Sequence, residues 1–401
     1  MGRPPRARTQ GHVGASKAAS AGAPDGQAVV ALVDDLLDRA LACGASDVHF
    51  EPVDGPETGL LVRVRLDGML QDFETVPRSA ADSVIGRLKV LAGLLTYRID
   101  IPQEGALQLE AADGSGTHVT ELRLATFPTI RGERAVVRVF AARAGVERID
   151  ELGFEPEQVA RLRSAVEAPA GMIVLTGPAG TGKTTTLYAL IRHVRDHFPG
   201  RSIITVEDPV EQRIDRVTQI QINPHGELNY EVCMRSLLRQ DPQVLLIGEI
   251  RDARTATVAI EAALTGHLIL TTMHSGDPAE AVLRLLEMGV PAYQVVSAVT
   301  LVCAQRLLRR VARPGGAGAG CGGEDSPTGD EGAGYRGRIA CGHVVAIDDG
   351  LRGLILRHPT ASELRSAMQA QQPDLPGAAG KLVADGVTDA EEVRRVLGRS
   401  G

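Results

Sequence analysis

The spacing of hydrophobic residues changes near residue 150, and this change divides the chain into two predicted parts. In the first part, apolar residues recur at helical spacing over about Ala28–Cys43 and again over about Ala80–Leu95. Around these helices, apolar and charged residues alternate as in half-buried strands, over Leu60–Leu70, His118–Ala125 and Arg134–Val139. This grouping of helices and strands predicts a small α+β domain over residues 28–147.

From Glu151 onwards, short apolar stretches alternate with helical patterns. The apolar stretches are candidates for buried strands, and they are Met172–Leu175, Arg201–Val206, Val244–Ile247 and Leu268–Thr272. Alternation of this kind predicts an α/β domain with a parallel sheet over residues 148–401. Polar residues follow each strand, and such sheets bind ligands beyond the carboxyl ends of their strands. We therefore expect the four polar clusters to meet in one crevice.

Three segments are predicted to lie outside the two sheets. Residues 1–27 are rich in Gly, Ala, Pro and Ser without periodicity, which predicts a disordered arm. Residues 313–333 form a low-complexity loop, and residues 351–401 have a helical pattern. Thr388 with Glu391 three residues later predicts a capping box at the start of the last helix.

A glycine-rich segment follows the first strand of the α/β part and fits the pattern G-x-x-x-x-G-K-[ST]. Glycines let backbone N–H groups surround a polyphosphate, and the next helix contributes its positive N-terminus. The pattern predicts binding of ATP or GTP, with Lys183 on the β- and γ-phosphates and the Thr184 hydroxyl on Mg²⁺. The predicted nucleotide-binding residues are Gly177, Pro178, Ala179, Gly180, Thr181, Gly182, Lys183, Thr184 and Thr185.

Carboxylates stand at the ends of two neighbouring predicted strands. Glu249 is in the position of the acid that holds Mg²⁺ or polarises the attacking water in P-loop ATPases. Glu207 and Asp208 end another strand, so two carboxylates can approach the γ-phosphate; a helix or turn cap is the alternative for Glu207. His267 and His274 flank the Leu268–Thr272 strand, and from the residues alone both also suit structural roles.

The composition excludes several classes of protein. The 43 basic and 50 acidic residues give a net charge of −7, so no overall positive field attracts nucleic acid. No apolar run approaches the roughly 18 residues of a membrane span, and no apolar segment follows the N-terminal arginines as in a signal peptide. The five cysteines form no C-x-x-C pair, which is typical of a reducing cytosol.

Several motifs in order resemble those of the type II/IV secretion system ATPases, the GspE/PulE/PilB-type motors of protein secretion and of type IV pilus assembly. TVEDPVE (205–211), LRQDPQVLLIGEIRD (238–252) and AALTGHLILTTMHS (262–275) are similar to the Asp box, Walker B and His box of that family. The resemblance extends through SDVHFEP (46–52), VRVRLDG (62–68), ELRLATFPTIRGERAVVRV (121–139), GYRGR (334–338) and DGVTDAEEVRRV (385–396).

The resemblance implies a RecA-like P-loop core preceded by a PAS-like α+β domain, assembled as a homo-hexamer that uses ATP and Mg²⁺. It implies that Lys183 and Thr184 bind phosphate and Mg²⁺, that Glu249 is the Walker B acid and that Glu207 is the Asp-box carboxylate. It also implies that His267 and His274 lie near the nucleotide, and that Arg123 and Arg138 of the first domain reach ATP from their strands. A guanidinium loses its contact when the γ-phosphate leaves, which would convert hydrolysis into domain motion.

Two departures from the family pattern affect these expectations. We expect the chain to lack the extra N-terminal module by which many members dock at the membrane. We also expect no zinc site, because only Cys321 and Cys341, with His343 nearby, stand where many members carry four cysteines.

The resulting prediction is a cytoplasmic hexameric ATPase for type II secretion or type IV pilus assembly. We expect it at the inner face of the plasma membrane only through partners, chiefly a multi-span platform protein, and without nucleic acid. A pilus retraction ATPase and, less favoured, a nucleic-acid translocase remain as alternatives.

Overall fold

A computed structural model describes residues 26–55, 57–113, 116–140, 146–222, 230–312 and 334–398. By its internal contacts the described chain divides into two compact units. Unit 1 contains residues 26–66 and 70–139, and unit 2 contains residues 67–69 and 140–398. None of the described helices combines the length and hydropathy needed to cross a bilayer.

Unit 1 is an α+β structure with one six-stranded sheet in the order β3-β2-β1-β6-β5-β4. Its central strand β1 is antiparallel to both β2 and β6, and β4 is antiparallel to β5. The elements are α1 (Gly26–Ala42), β1 (Asp47–Pro52), β2 (Thr58–Leu66), β3 (Met69–Pro77), α2 (Arg78–Leu91), β4 (Gln103–Asp113), β5 (Gly116–Thr129) and β6 (Gly132–Phe140).

The core of unit 1 lies between its two helices and one face of the sheet. The helical residues Val33, Leu36 and Leu37 are almost completely buried, as are Val48 and Phe50 of β1. Strand residues alternate between the two faces of a sheet. The positions between the core residues therefore carry charged side chains, and Asp47, His49 and Glu51 of β1 face away from the core beside arginines of β2 and β6.

Unit 2 is an α/β structure with a seven-stranded sheet. The elements are a short 3₁₀ helix (Ile149–Glu151), α3 (Pro156–Glu167), β7 (Gly171–Thr176), α4 (Lys183–His197), β8 (Ile203–Glu207), β9 (Thr218–Gln221), α5 (Tyr230–Leu237), β10 (Val244–Ile247), α6 (Ala253–Leu264), β11 (Leu268–Met273), α7 (Pro278–Glu287), α8 (Ala292–Ala298), β12 (Val299–Val311), β13 (Tyr335–Ala346), α9 (Asp349–Ile355), α10 (Ala361–Gln371), α11 (Leu375–Ala384) and α12 (Ala390–Leu397).

The sheet of unit 2 has the strand order β13-β12-β7-β11-β10-β8-β9. The strands from β12 to β9 are parallel to their neighbours, and only β13 runs antiparallel, beside β12. The four strands predicted from apolar stretches are present, and their carboxyl ends lie at one edge. The prediction missed β9, β12 and β13, because β9 is short and polar and the second half of β12 is charged.

Helices cover both faces of this sheet, as expected for a three-layered α/β domain. On one face, α3 and α4 pack against alternate residues of the strands, including Ile173, Leu175 and Leu246. On the other face, α6, α7, α8 and α10 pack against Val174, Leu245 and Ile269. Since both faces are buried, the central strands are continuously apolar, which explains why they were visible in the sequence.

A buried glutamate fixes the last helix, α12, to the sheet. The Glu392 carboxylate is fully buried and accepts hydrogen bonds from the backbone N–H and guanidinium of Arg309 on β12, and from the Arg395 guanidinium. Burial alone would raise the pKa of Glu392, but the hydrogen bonds from Arg395 and Arg309 lower it to about 2. The capping box predicted from Thr388 is wrong: Asp389 caps the helix, and the Thr388 hydroxyl donates to the Arg309 carbonyl oxygen.

We expect Glu392→Gln to lower the free energy of unfolding by about 3 kcal/mol at pH 7, because two arginines lose their buried counter-charge. A lowered pKa stabilises the fold above the ordinary pKa of 4.5, and this stabilisation is lost as the pH falls towards 2. The difference in melting temperature between the native chain and the variant should therefore shrink between pH 5 and pH 3. A difference that is constant with pH would contradict the charged network.

Candidate nucleotide-binding site

The glycine-rich segment forms a tight loop between β7 and α4, at the carboxyl edge of the sheet. Gly177, Gly180 and Gly182 have φ angles of 148°, 76° and 84°. These are backbone conformations that side chains with a Cβ rarely adopt, so the sequence needs glycine there. The helix begins at Lys183 directly after Gly182, and its first N–H groups therefore face the space enclosed by the loop.

A buried glutamine of β12 supports this loop from below. The Gln305 side-chain amide donates to the Thr181 carbonyl oxygen over 2.9 Å and accepts from the Thr186 hydroxyl over 2.8 Å. A Cβ at Gly177 would lie 2.7 Å from the Gln305 carbonyl oxygen, and one at Gly182 would lie 2.9 Å from its side-chain nitrogen. The loop can therefore approach β12 this closely only with glycine at both positions.

Lys183 is turned towards its own loop in this structure. Its ammonium nitrogen donates to the carbonyl oxygens of Gly177 and Pro178, at 2.6 and 2.8 Å. Burial lowers the pKa of Lys183, although the charge of Glu249 acts in the opposite direction. A buried ammonium held only by uncharged oxygens is a site suited to an anion, since a phosphate would supply the missing negative charge.

Glu249 lies just after β10, at the edge of the loop. Its carboxylate is paired with Arg251, and its Oε2 is 3.1 Å from Nε2 of His274, which follows β11. The carboxylate is only 15% exposed, whereas both partner side chains are more than half exposed. Glu249 thus combines a shielded position with partners that can move away, as a group that engages a ligand must.

Glu207 ends β8 and has a different environment. It is 4% exposed, and both carboxylate oxygens accept hydrogen bonds within the protein. The Tyr188 hydroxyl donates to Oε2, while the Thr205 hydroxyl and the Gln219 amide donate to Oε1. Burial beside this carboxylate raises the pKa of Tyr188 above its ordinary value, so the tyrosine remains a donor.

Tyr188 also fixes the loop that follows β8. Its hydroxyl oxygen accepts from the backbone N–H groups of Glu211 and Gln212, at 3.2 and 3.4 Å. This position brings the Glu211 carboxylate to 3.5 Å from the Thr184 hydroxyl, the predicted Mg²⁺ ligand. Glu207 is therefore linked through the Tyr188 hydroxyl to the loop that carries Glu211.

These residues line a cavity of about 410 Å³, a volume in the range of small-molecule sites. Of the predicted nucleotide-binding residues, Ala179 through Thr185 line it, together with Glu207, Glu249 and His274. Gly177 and Pro178 do not line it, and they contribute the carbonyl oxygens that hold Lys183. The phosphate cradle, the buried ammonium and the adjacent carboxylates fit a magnesium nucleotide.

The structure does not bring His267 to this cavity. His267 precedes β11, whereas His274 follows it, so a six-residue strand of about 20 Å separates the two histidines. The His267 ring instead contacts the last turn of α6, with Nδ1 at 2.9 Å from the Ala262 carbonyl oxygen. The described chain therefore places only His274 at the cavity, because parallel strands present their carboxyl ends there, and a position of His267 near the nucleotide remains a prediction.

Arg123 and Arg138 lie in unit 1 on the neighbouring strands β5 and β6. Each is exposed on the face of its strand opposite the core, and Arg138 donates to the Asp47 carboxylate over 2.9 Å. The alternation predicted for both strands is present, and contact of the two arginines with nucleotide remains a prediction.

The residues considered for zinc do not form a described metal site. Within the described ranges, no group of three or more His, Cys, Asp and Glu side chains has an arrangement suited to a metal ion. Cys321 lies outside the described residues. Cys341 is buried in β13, where burial raises the pKa of its thiol to about 12.

Sequence reasoning missed the residues that support the loop from other elements. Tyr188 has the appearance of a core residue of α4, and Gln305 that of a polar residue in a long strand. Tyr230 was also missed. Its hydroxyl lies against Gly248, where an added Cβ would be only 3.0 Å from it. Buried polar residues in apolar segments were the available signal, since such groups need partners.

The fold and this site together define a P-loop ATPase core. The chain matches the family model described as "Type II/IV secretion system protein" over residues 23–395, and it belongs to that family.

The curated relatives include the type II secretion system protein HxcR of Pseudomonas aeruginosa, which is 37% identical over 93% of this chain and 78% of the relative. The type IV pilus assembly ATPase PilB of the same organism is 36% identical over 94% of this chain and 69% of the relative. Among solved structures, the Legionella pneumophila ATPase DotB has a TM-score of 0.71 at 20% identity, covering 91% of this chain and 95% of DotB. At that identity, the similarity to DotB concerns the fold.

We expect Glu207→Gln to lower the free energy of unfolding of unit 2 by about 1–3 kcal/mol, because an amide cannot accept from all three buried donors. Glu249→Gln should lower it by less than about 1 kcal/mol, since the partners of Glu249 are exposed. Both variants carry the same Glu-to-Gln change, so thermal unfolding compares the two positions directly. Equal losses would contradict the assignment of Glu207 to a buried supporting network.

Proposed function

We propose that this chain is the ATPase subunit of a type II secretion or type IV pilus assembly machine. The observation that carries the proposal is the glycine-rich loop with its buried Lys183, which is suited to binding an anion. The shielded carboxylate of Glu249 lies at the edge of this loop. The relatives named for secretion and for pilus assembly are almost equally identical to this chain, at 37% and 36%. The proposal therefore covers both machines.

The substrate is ATP, and its phosphates would be held by the backbone N–H groups of the loop and by Lys183. When ATP binds, the Lys183 ammonium would move from the carbonyl oxygens of Gly177 and Pro178 to the phosphates. It would then face full negative charges in place of the partial charges of the carbonyl oxygens. Thr184 would hold the Mg²⁺ ion, and Glu211 stands beside its hydroxyl to accept a further hydrogen bond. When bound, Mg²⁺ supplies positive charge that offsets the charge developing on the phosphoryl oxygens.

Glu249 is proposed to polarise the attacking water or to bind water on Mg²⁺. His274 would give up its contact with Glu249 and then face the γ-phosphate, because both lie at the same edge of the cavity. Glu207 is proposed to contribute through Tyr188, whose hydroxyl it orients, and through the loop that carries Glu211. His267 is given no part in this scheme.

Arg123 and Arg138 are proposed to sense the γ-phosphate. A guanidinium offers fixed, paired donors that match a terminal phosphate and lose most of their contact once it is released. Pairing with Asp47 keeps Arg138 in one orientation on its strand until a phosphate competes for it. The difference between ATP and ADP contacts would then favour different arrangements of the units.

The finer assembly is also part of the proposal. We propose a homo-hexamer in the cytoplasm, held at the inner face of the plasma membrane by a multi-span platform protein of the machine. Purification of the tagged chain from its own membranes tests this, since a multi-span membrane protein should accompany it. Recovery with nucleic acid, together with ATP hydrolysis raised several-fold by single-stranded DNA, would instead favour a translocase.

Lys183→Ala should abolish ATP turnover, because the loop then lacks the charge that balances the polyphosphate. Glu249→Gln keeps the shape of the side chain, so ATP binding should persist while turnover falls by about a hundredfold or more. Phosphate release and binding of a fluorescent ATP analogue measure the two effects separately. Native turnover in the Glu249→Gln variant would remove Glu249 from the reaction.

Arg138→Ala should leave ADP affinity within about twofold of native and lower turnover by about tenfold or more, since the lost contact is to the γ-phosphate. Arg138→Lys should recover little, because a single ammonium cannot replace a two-pronged contact. ADP titration and steady-state hydrolysis of the three proteins provide the comparison. If Arg138→Ala hydrolyses ATP at the native rate, the arginine is an ordinary surface residue.

A further inference from the structure

Arg306 lies on β12 directly after the loop-supporting Gln305, and its guanidinium joins two backbone segments. One amino group, Nη1, donates to the Gln305 carbonyl oxygen over 2.9 Å, and the other, Nη2, donates to the Gly276 carbonyl oxygen over 3.0 Å. The Nη1 atom is also 3.0 Å from the position that a Cβ would occupy at Gly177. The guanidinium therefore lies against the start of the glycine-rich loop and reaches the segment that follows β11.

That segment, His274–Asp277, carries the histidine that contacts Glu249; we call it the His274 loop. A second link ties it to the start of the glycine-rich loop. The Thr176 hydroxyl donates to the Ser275 carbonyl oxygen over 2.9 Å and accepts from the Ser275 N–H over 3.0 Å. Two links from the β7 and β12 side thus hold consecutive residues of the His274 loop, at Ser275 and Gly276.

Further contacts of the His274 loop come from α7 and from Arg365 of α10, which pairs with Asp277 over 2.7 Å. The Arg284 guanidinium donates to the His274 carbonyl oxygen over 3.2 Å, and the Glu280 carboxylate accepts from the Gly276 N–H over 2.7 Å. These contacts attach the loop to α7 and α10 and not to the glycine-rich loop. Arg306 is thus the charged side chain, among the described contacts of the loop, that links it to the start of the glycine-rich loop.

Arg306 is not held there by an ion pair with any described residue. The nearby carboxylates of Asp277 and Glu280 are both engaged by Arg365, at 2.7 and 3.4 Å. Burial lowers the pKa of Arg306, and the charges of Asp277 and Glu280 act in the opposite direction. A half-buried guanidinium that donates to two main-chain carbonyl oxygens fixes their relative position, since both hydrogen bonds are directional and the guanidinium fork is rigid.

We propose that Arg306 is a positioning residue that sets the place of His274 relative to the phosphates and to Glu249. The inference rests on the proposed ATPase function and adds a residue outside its motifs. Phosphate binding itself depends little on Arg306, because the middle of the glycine-rich loop is held separately by the Gln305 side chain on Thr181. The predicted consequence is a selective effect on turnover.

The first experiment compares Arg306→Met and Arg306→Lys with Arg310→Met, an exposed arginine on the same strand. Arg306→Met should lower kcat by about tenfold and leave KM for ATP and the affinity for ADP within about twofold. Arg306→Lys should recover part of kcat, because an ammonium can reach one of the two carbonyl oxygens. Arg310→Met should behave as native. A parallel loss of ADP affinity and kcat would overturn the proposal in favour of general damage to the glycine-rich loop.

A double-mutant cycle with His274→Ala tests whether Arg306 acts through the histidine. The loss of kcat caused by Arg306→Met should fall from about tenfold in the native background to less than twofold in the His274→Ala background. Independent, multiplicative losses would overturn the proposal. If the Met variant does not fold, the same cycle is measured with Arg306→Lys, whose smaller loss should likewise disappear.

Amide hydrogen exchange can be measured without ATP turnover. It therefore separates a failure of this inference from a failure of the proposed function. Arg306→Met should accelerate exchange of the Ser275 and Gly276 amides, and Arg310→Met should not. Unchanged exchange at these amides would overturn the positioning role of Arg306 even if the chain hydrolyses ATP. If the native chain does not hydrolyse ATP but Arg306→Met still accelerates exchange at these amides, the proposed function is refuted. The positioning role of Arg306 in the fold would then remain.

Discussion

The close approach of the glycine-rich loop to β12 is the constraint on which the site depends. A parallel strand, a sharp turn and a helix must follow each other within a few residues, and Gln305 must reach the Thr181 carbonyl oxygen from below. Positions 177 and 182 have no room for a Cβ under these conditions. Because the loop is fixed on this side, its N–H groups and the start of α4 are free to face the cavity on the other.

Glu207 and Glu249 both line the cavity, but their partners differ. Glu249 is shielded but paired with exposed side chains, so its contacts can be exchanged at small cost. Glu207 is buried with three donors directed at it, so its contacts are expensive to break. The same residue type at the ends of nearby parallel strands is therefore suited to engaging a ligand in one case and to holding Tyr188 in the other.

Arginines recur at places where rigid, directional donors are needed. Arg306 joins two backbone segments beside the cavity, Arg309 holds Glu392 and with it the last helix, and Arg138 is held by Asp47 on the sheet of unit 1. β12 thus contributes Gln305, Arg306 and Arg309 within five positions. Its first half is apolar and buried between β7 and β13, while its second half connects the glycine-rich loop with the C-terminal helices.

The sequence by itself determined the parts of this protein that depend on local pattern. Continuous apolar stretches such as Val244–Ile247 identified the central strands, because strands buried on both faces have no polar positions. The spacing of Gly177, Gly182 and Lys183 identified the phosphate loop, since the geometry of such a loop is local. The positions of Glu207 and Glu249 at strand ends placed both at one edge of the sheet.

The tertiary structure alone decided which of these residues share an environment. His267 and His274 are equivalent in the sequence pattern, yet the direction of β11 places only His274 at the cavity. Tyr188, Gln305 and Arg306 form hydrogen bonds with groups in other elements that lie between 19 and 124 residues away, at the extremes for Tyr188 with Glu207 and for Gln305 with Thr181, and no local pattern encodes such partners. The donors around Glu207 likewise come from three different elements. A strand end can be read from its neighbours in the chain, but the hydrogen-bond partners of a buried side chain depend on the packing of distant segments.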